Sequence, residues 1–136
     1  MNNLEKLQEL TNQLSTEEQS NLEKFINTKV ILEMVFAFSS DLICVANKEK
    51  FTLINPSFTR VLGWSKEELL KNTWISFVHP DDVEKTLNQS IIANDSATIN
   101  FENRYRCKNG EYVQLVWAAT SWINNSVYCI AQVKNE

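Results

Sequence analysis

The residues able to do chemistry are few and scattered. His79 is the single histidine, and Cys44, Cys107 and Cys129 are odd in number and widely separated. A nucleophilic Ser or Cys needs a base held beside it, and zinc needs closely spaced pairs such as C-x-x-C. Neither pattern is present. Gly63 and Gly110 are the only glycines, too few for a loop that cradles phosphate. The segment His79-Pro-Asp-Asp82 reads as a helix start, with Pro80 tolerated at the first helical position and two carboxylates near the positive helix end. That accounts for His79, Asp81 and Asp82 without acid–base catalysis, so no catalytic residue and no metal site is assigned. The expectation is a protein that is not an enzyme.

Bulk properties narrow the partners. A formal net charge of −4 with no Lys/Arg cluster argues against nucleic acid, which needs several cations on one surface. The longest apolar stretch, 30–38, is broken by Glu33 and falls far short of the ~20 residues of a spanning helix. Met1-Asn-Asn-Leu-Glu-Lys lacks the basic start and apolar run of a cleavable signal. No membrane partner is expected, and the default location is cytoplasmic.

The elements that must position any site centre on the stretch from Phe101 to Trp122. Two runs rich in aromatic and β-branched residues flank Asn109-Gly110, which predicts a hairpin. A two-residue loop would put Arg104 and Arg106 on the face of Leu115 and Trp117. A three-residue loop, Lys108-Asn-Gly110 with Gly110 left-handed, aligns Phe101, Asn103, Tyr105 and Cys107 with Val113, Leu115, Trp117 and Ala119, and sends Glu102, Arg104 and Arg106 to the other face. The second register is expected. A last strand from Val127 to Val133 follows Asn124-Asn125; a tight turn there sets Ala119 beside Ile130, with Tyr128 and Ile130 inside. Val127, Cys129, Ala131 and Val133 then lie outside with Val116, Ala118 and Trp122. On that reading Cys107 faces inward and Cys129 outward, so reduced structural thiols are expected rather than a disulfide. The outer patch is too apolar for open solvent and needs a cover.

Ahead of the hairpin, Leu4, Leu7, Leu10 and Leu14 recur at helical spacing, and Ser15 with Glu18 offers a capping box for a second helix. That helix carries Leu22, Phe25, Ile26, Val30, Leu32 and Phe36 on a broad apolar face, which either covers the sheet or pairs with a second subunit. Leu42 to Ala46 and 51–55 predict another hairpin. Asn55 caps and Gly63 closes a short helix, Ser65 with Glu68 caps the next, and Val83, Leu87 and Ile91 give the third its buried stripe. The division expected is an N-terminal helical extension, 1–37, and a domain at 38–136.

Four stretches in this order, Asp41-Leu-Ile-Cys-Val, Asn55-Pro-Ser-Phe-Thr-Arg-Val-Leu-Gly-Trp64, Phe77-Val-His-Pro-Asp-Asp82 and Arg104-Tyr-Arg-Cys-Lys-Asn-Gly-Glu-Tyr-Val-Gln-Leu-Val-Trp117, resemble a PAS domain of the bacterial sensor histidine kinase and diguanylate cyclase type. The resemblance covers about 38–133. It implies an α+β fold: a five-stranded antiparallel sheet with short helices across one face and a cavity that in some members holds haem, flavin or a small metabolite. It also implies that the N-terminal helix packs on the outer sheet face and pairs two subunits, and that a signalling output domain acts in cis or in trans. Relatives usually end the last strand in Asp-Ile/Val-Thr; this chain has Ala131-Gln-Val-Lys-Asn-Glu136, and no output-domain pattern lies within these residues.

The candidate cavity is Phe101, Asn103, Tyr105, Leu115, Trp117, Ile130 and Trp74, with Ser57, Thr59 and Arg60 as weaker candidates. The candidate dimer and outer-sheet surface is Leu22, Phe25, Ile26, Val30, Val116, Ala118, Trp122 and Cys129. Asn103 stands out because an unpaired amide on an inner face costs a few kcal/mol, so it bonds backbone, water or a ligand. Any His-ligated haem would need His79, whose capping role argues against haem. The resemblance places the reactive cysteine of photoactive flavin relatives at Thr73, which excludes a cysteinyl-flavin adduct. The expected function is a cytoplasmic sensory and dimerisation module, a homodimer binding a small ligand of unassigned identity. The alternative is a ligand-free interaction domain whose core is filled by its own side chains.

Overall fold

Alternating apolar residues in five short runs build a sheet in the order β2-β1-β5-β4-β3, every neighbouring pair antiparallel. The strands are β1 (Leu42–Ala46), β2 (Phe51–Ile54), β3 (Thr98–Arg106), β4 (Tyr112–Ala119) and β5 (Val127–Val133). The computed structural model describes residues 2–135. They divide into two compact units, one up to Val35 and one from Phe36 onward.

In the first unit, α1 (Asn3–Asn12) opens on a capping box between Asn2 and Glu5. Helix α2 (Thr16–Phe38) starts where Ser15 Oγ accepts the Glu18 N–H at 3.2 Å. Val30, Ile31, Leu32, Met34, Val35 and Phe38 are all exposed. At about 100° per residue they spread over roughly 200° of the helix circumference, a broad apolar face as expected, with Glu33 outside it.

In the second unit the short helices α3 (Ser57–Leu62) and α4 (Lys66–Lys71) bring Phe58, Leu62 and Leu69 into a core with Leu42, Phe77, Leu115 and Ala131. Each of these Phe and Leu side chains contributes about 1.5–3 kcal/mol by leaving water. Gly63 ends α3 in the left-handed region at φ +84°. Ser65 and Glu68 form the expected capping box of α4. Asn55 does not cap α3 with its side chain. Its Oδ1 accepts the Ile43 N–H at 3.0 Å, and its Nδ2 donates to the carbonyls of Asp41 at 2.9 Å and Phe36 at 3.0 Å. A buried amide with three backbone partners ties the end of α2 to β1, a demand that outweighs capping.

The β3–β4 register is the expected one: Phe101 faces Trp117, Asn103 faces Leu115 and Tyr105 faces Val113. Gly110 has φ +91°, and its N–H reaches the Cys107 carbonyl at 2.9 Å across the three-residue loop. The β4–β5 register is not the expected one. Asn124 and Asn125 do form a tight turn, at φ 49° and 64°, with Ile123 opposite Ser126. Further in, Ala119 faces Cys129 and Ala118 faces Ile130. One extra residue, in the Ser121-Trp122 step opposite Val127, separates turn and ladder, and a bulge of this kind reverses every side chain beyond it. Val127, Cys129 and Ala131 are therefore inside, and Tyr128 and Ile130 are exposed on the outer face.

Candidate functional site

Between the inner sheet face and helix α5 (Val83–Ile92) lies a cavity of about 110 Å³. The sheet contributes Cys44 and Ala46 from β1, Phe51 from β2, and Val127 and Cys129 from β5. From β3 come Thr98, Phe101, Asn103 and Tyr105, and from β4 Trp117 and Ala119, with Trp122 just beyond. Thr98 and Phe101 are an odd number of residues apart, as are Ala119 and Trp122, so a regular strand would point them to opposite faces. Each pair shares the cavity because a bulge intervenes; the first places Asn100 at φ 55°.

Helix α5 supplies Thr86, Gln89, Ser90 and Ala93 at its end, spaced i, i+3, i+4 and i+7 on one helical face. The apolar stripe expected there is displaced: Leu87 and Ile91 are exposed, at 43% and 64%. The wall of a cavity is better served by this small and polar face than by bulky leucine and isoleucine. Trp122 fixes the helix end, its indole N–H donating to Ser90 O at 2.8 Å and its backbone N–H to Ala93 O at 3.0 Å.

Polar groups in the cavity wall are joined in a chain. The Trp117 indole N–H donates to Asn103 Oδ1 at 2.8 Å, Asn103 Nδ2 to Thr86 Oγ1 at 3.2 Å, and the Thr86 hydroxyl to Asp82 O at 2.7 Å. Asn103 thus bonds side chains, not neighbouring backbone. Asp82 in turn accepts the Arg104 N–H at 2.8 Å and both ends of its guanidinium at 2.9 Å. The Arg104 hydrogen bonds hold the Asp82 carboxyl down to about 2, against the desolvation that would raise it. Gln89 Nε2 donates to Thr98 Oγ1 at 2.9 Å. Burial first, then the Cys44 and Cys129 sulfurs, push the Tyr105 phenol well above its usual range.

Residues 51–132 match the family described as the PAS fold. The chain belongs to the PAS family. Over 99 aligned residues it is 30% identical to a probable diguanylate cyclase, DgcE, of Escherichia coli strain K12, covering 67% of this chain and 9% of that protein. The PAS chain thus spans under a tenth of the length of that relative. A PAS domain of a protein described as HTR-like, from Haloarcula marismortui, superposes with a TM-score of 0.69 at 21% identity, covering 85% of this chain and 99% of that one. A domain of a sensory box sensor histidine kinase/response regulator from Geobacter sulfurreducens gives 0.64 at 16%, covering 77% and 93%. This is a PAS domain of the kind found in bacterial sensory signalling proteins.

Within this PAS fold Phe101, Asn103, Tyr105, Trp117 and Trp74 line the cavity. Leu115 is fully buried in the core beside it, and Ile130 is on the opposite face of the sheet, 39% exposed. Trp122 and Cys129 are in the cavity wall and not on the outer face, because of the β4 bulge. Val116 and Ala118 lie on the outer face, opposite Gln132 and Ile130. Ser57 is buried, donating to Ser39 O and accepting from Arg60 at 2.7 Å, while Thr59 and Arg60 are exposed; none reaches the cavity. In the first unit Phe25, Ile26 and Val30 are exposed and Leu22 is half-buried.

Neither haem nor flavin fits the residues present. The volume is well below the roughly 300–1,000 Å³ of sites for larger ligands. His79 is outside the cavity: its Nδ1 accepts the Asp81 N–H at 3.0 Å and its ring lies 4.5 Å from Tyr112. Thr73 is likewise outside, bridged to Lys50. The residues missed from sequence, Thr86, Gln89, Ser90 and Ala93, carried a legible signal in their i, i+3, i+4, i+7 spacing.

Proposed function

We propose that this PAS domain is a non-catalytic, cytoplasmic sensory module that takes a small uncharged molecule into its cavity and works as a homodimer. The observation that carries the sensing part is the lining: among the described residues none of those around the cavity is charged, yet Thr86, Gln89, Ser90, Thr98 and Asn103 offer hydrogen bonds. A charged ligand would lose its hydration without a counter-charge to replace it. A dry cavity of about 150 Å³ admits benzene, so the ligand is of that size or smaller. Occupancy would bear on the Trp117–Asn103–Thr86–Asp82 chain, which ends at Arg104 on the sheet edge. The similarity to part of a diguanylate cyclase supports an output domain acting in cis or in trans.

The test is a screen of small uncharged aromatic alcohols and amides by two-dimensional NMR. Saturable shifts at the Asn103, Gln89 and Trp117 side-chain N–H groups, lost in Asn103→Leu, support sensing. The small volume favours a second reading, a ligand-free interaction domain with a self-filled core. Shifts that never saturate would favour that reading.

A further inference from the structure

Two thiols face each other in the cavity wall, and neither the hydrogen-bond chain nor the proposed ligand uses them. Cys44 on β1 and Cys129 on β5 are direct partners in the antiparallel ladder and both line the cavity. Directly opposed residues of antiparallel strands have Cα atoms about 4.5–5.5 Å apart. A disulfide tolerates about 4.4–6.8 Å between Cα atoms, with both Cβ atoms on the same side. The register therefore meets the requirement without moving a strand, and in this structure both thiols are reduced.

The geometry points to a two-electron redox site: we propose that a small hydroperoxide entering the cavity oxidises Cys44 and Cys129 to a reversible disulfide that cross-links β1 and β5. The division of labour follows from environment. Cys44 is fully buried, and the adjacent Cys129 sulfur followed by burial raises its pKa, so it is the second sulfur to react. Cys129 is only partly buried, so it is the sulfur that meets the peroxide first and reacts as its thiolate. Cys129 attacks the terminal peroxide oxygen, the O–O bond breaks, and the departing alkoxide takes a proton to leave as alcohol. The Cys44 sulfur then attacks the Cys129 sulfenic acid, the S–O bond breaks, and hydroxide leaves with the Cys44 proton as water. Two thiols lose two electrons, and the peroxide is reduced to alcohol and water. Cys107 stays out of it: it follows the end of β3 at the loop, outside the cavity, with its pKa raised by burial.

The full chain is treated with hydrogen peroxide, alkylated and mapped by peptide mass spectrometry. Of the three cysteines, Cys107 alone should remain alkylatable, with a Cys44–Cys129 linked peptide that dithiothreitol reverses. Cys107→Ser should convert as fully as the native chain, and Cys129→Ser should leave Cys44 alkylatable. Cys44→Ser should trap Cys129 as a sulfenic acid that dimedone labels; if that variant does not fold, the native map and Cys129→Ser still decide. Three alkylatable thiols after peroxide, a link through Cys107 or between chains, or a native Cys129 that stops at sulfenic acid would each overturn the proposal. None of these readouts depends on a ligand in the cavity.

Discussion

Asp82 shows how one residue can look like local punctuation and act as a tertiary joint. Sequence places it in a helix start, whereas the structure gives it the backbone amide and guanidinium of Arg104. Its carboxyl titrates at about 2 when folded, below its ordinary 3.8. The folded pKa is the depressed one, so the stabilisation is complete above about pH 4 and is lost as pH falls through 2. That shift converts to about 2 kcal/mol, and the 40% exposure of the Arg104 side chain reduces the expectation to about 1 kcal/mol. Asp82→Asn should therefore lie below the native protein in urea denaturation at pH 6, with the gap closing between pH 4 and pH 2. A gap that stays constant with pH would assign the loss to packing. Asn103 belongs to the same network: Asn103→Leu leaves the buried Trp117 N–H without its acceptor, a cost of about 1–3 kcal/mol in the same measurement.

At the scale of elements, the turn between β4 and β5 is improvable. Asn125 sits at φ 64°, where asparagine is tolerated and glycine is at ease. Asn125→Gly should raise stability by up to about 1 kcal/mol, whereas Asn125→Val should lower it by about 1–2 kcal/mol, read as shifts in the urea midpoint. The two hairpins also show what sequence can and cannot carry. Around Lys108-Asn-Gly110 only one loop length keeps Arg104 and Arg106 off the face of Leu115, so the β3–β4 register was legible, and with it Phe101, Asn103, Tyr105 and Trp117. The turn at Asn124-Asn125 was equally legible, but the bulge beside it was not. It is held by Trp122, whose two hydrogen bonds to Ser90 and Ala93 come from a helix some 30 residues away in the chain. No local pattern encodes that contact, and the resulting slip moved Ile130 out of the candidate site and Cys129 into it. The polar face of α5 was missed for a related reason. Apolar periodicity is the usual sign of burial, but here Thr86 is buried and Ile91 is not.

For the whole molecule, the remaining question is what the apolar surfaces are for. From Val30 to Phe38 helix α2 carries exposed apolar side chains over more than half of its circumference. A helix of that kind in water is stable only when something covers it. Among the described residues no helix is long and apolar enough to cross a membrane. A second copy of the chain is the occupant proposed here, since two such helices would bury each other's apolar sides. Light scattering at high concentration should then give a dimer, and replacing Ile26 and Val30 with lysine should give a monomer. These are exposed positions in the unit that precedes the sheet, so the core around Leu42, Phe58 and Leu115 should be untouched. Intrinsic tryptophan fluorescence, to which the buried Trp117 contributes with three others, should accordingly match that of the native protein. A native chain that scatters as a monomer would remove the shared-helix idea outright. A dimer that survives both lysines would move the interface to the outer sheet face, where Tyr128 and Ile130 are exposed. Tyr128→Lys with Ile130→Lys would then be the pair that dissociates it.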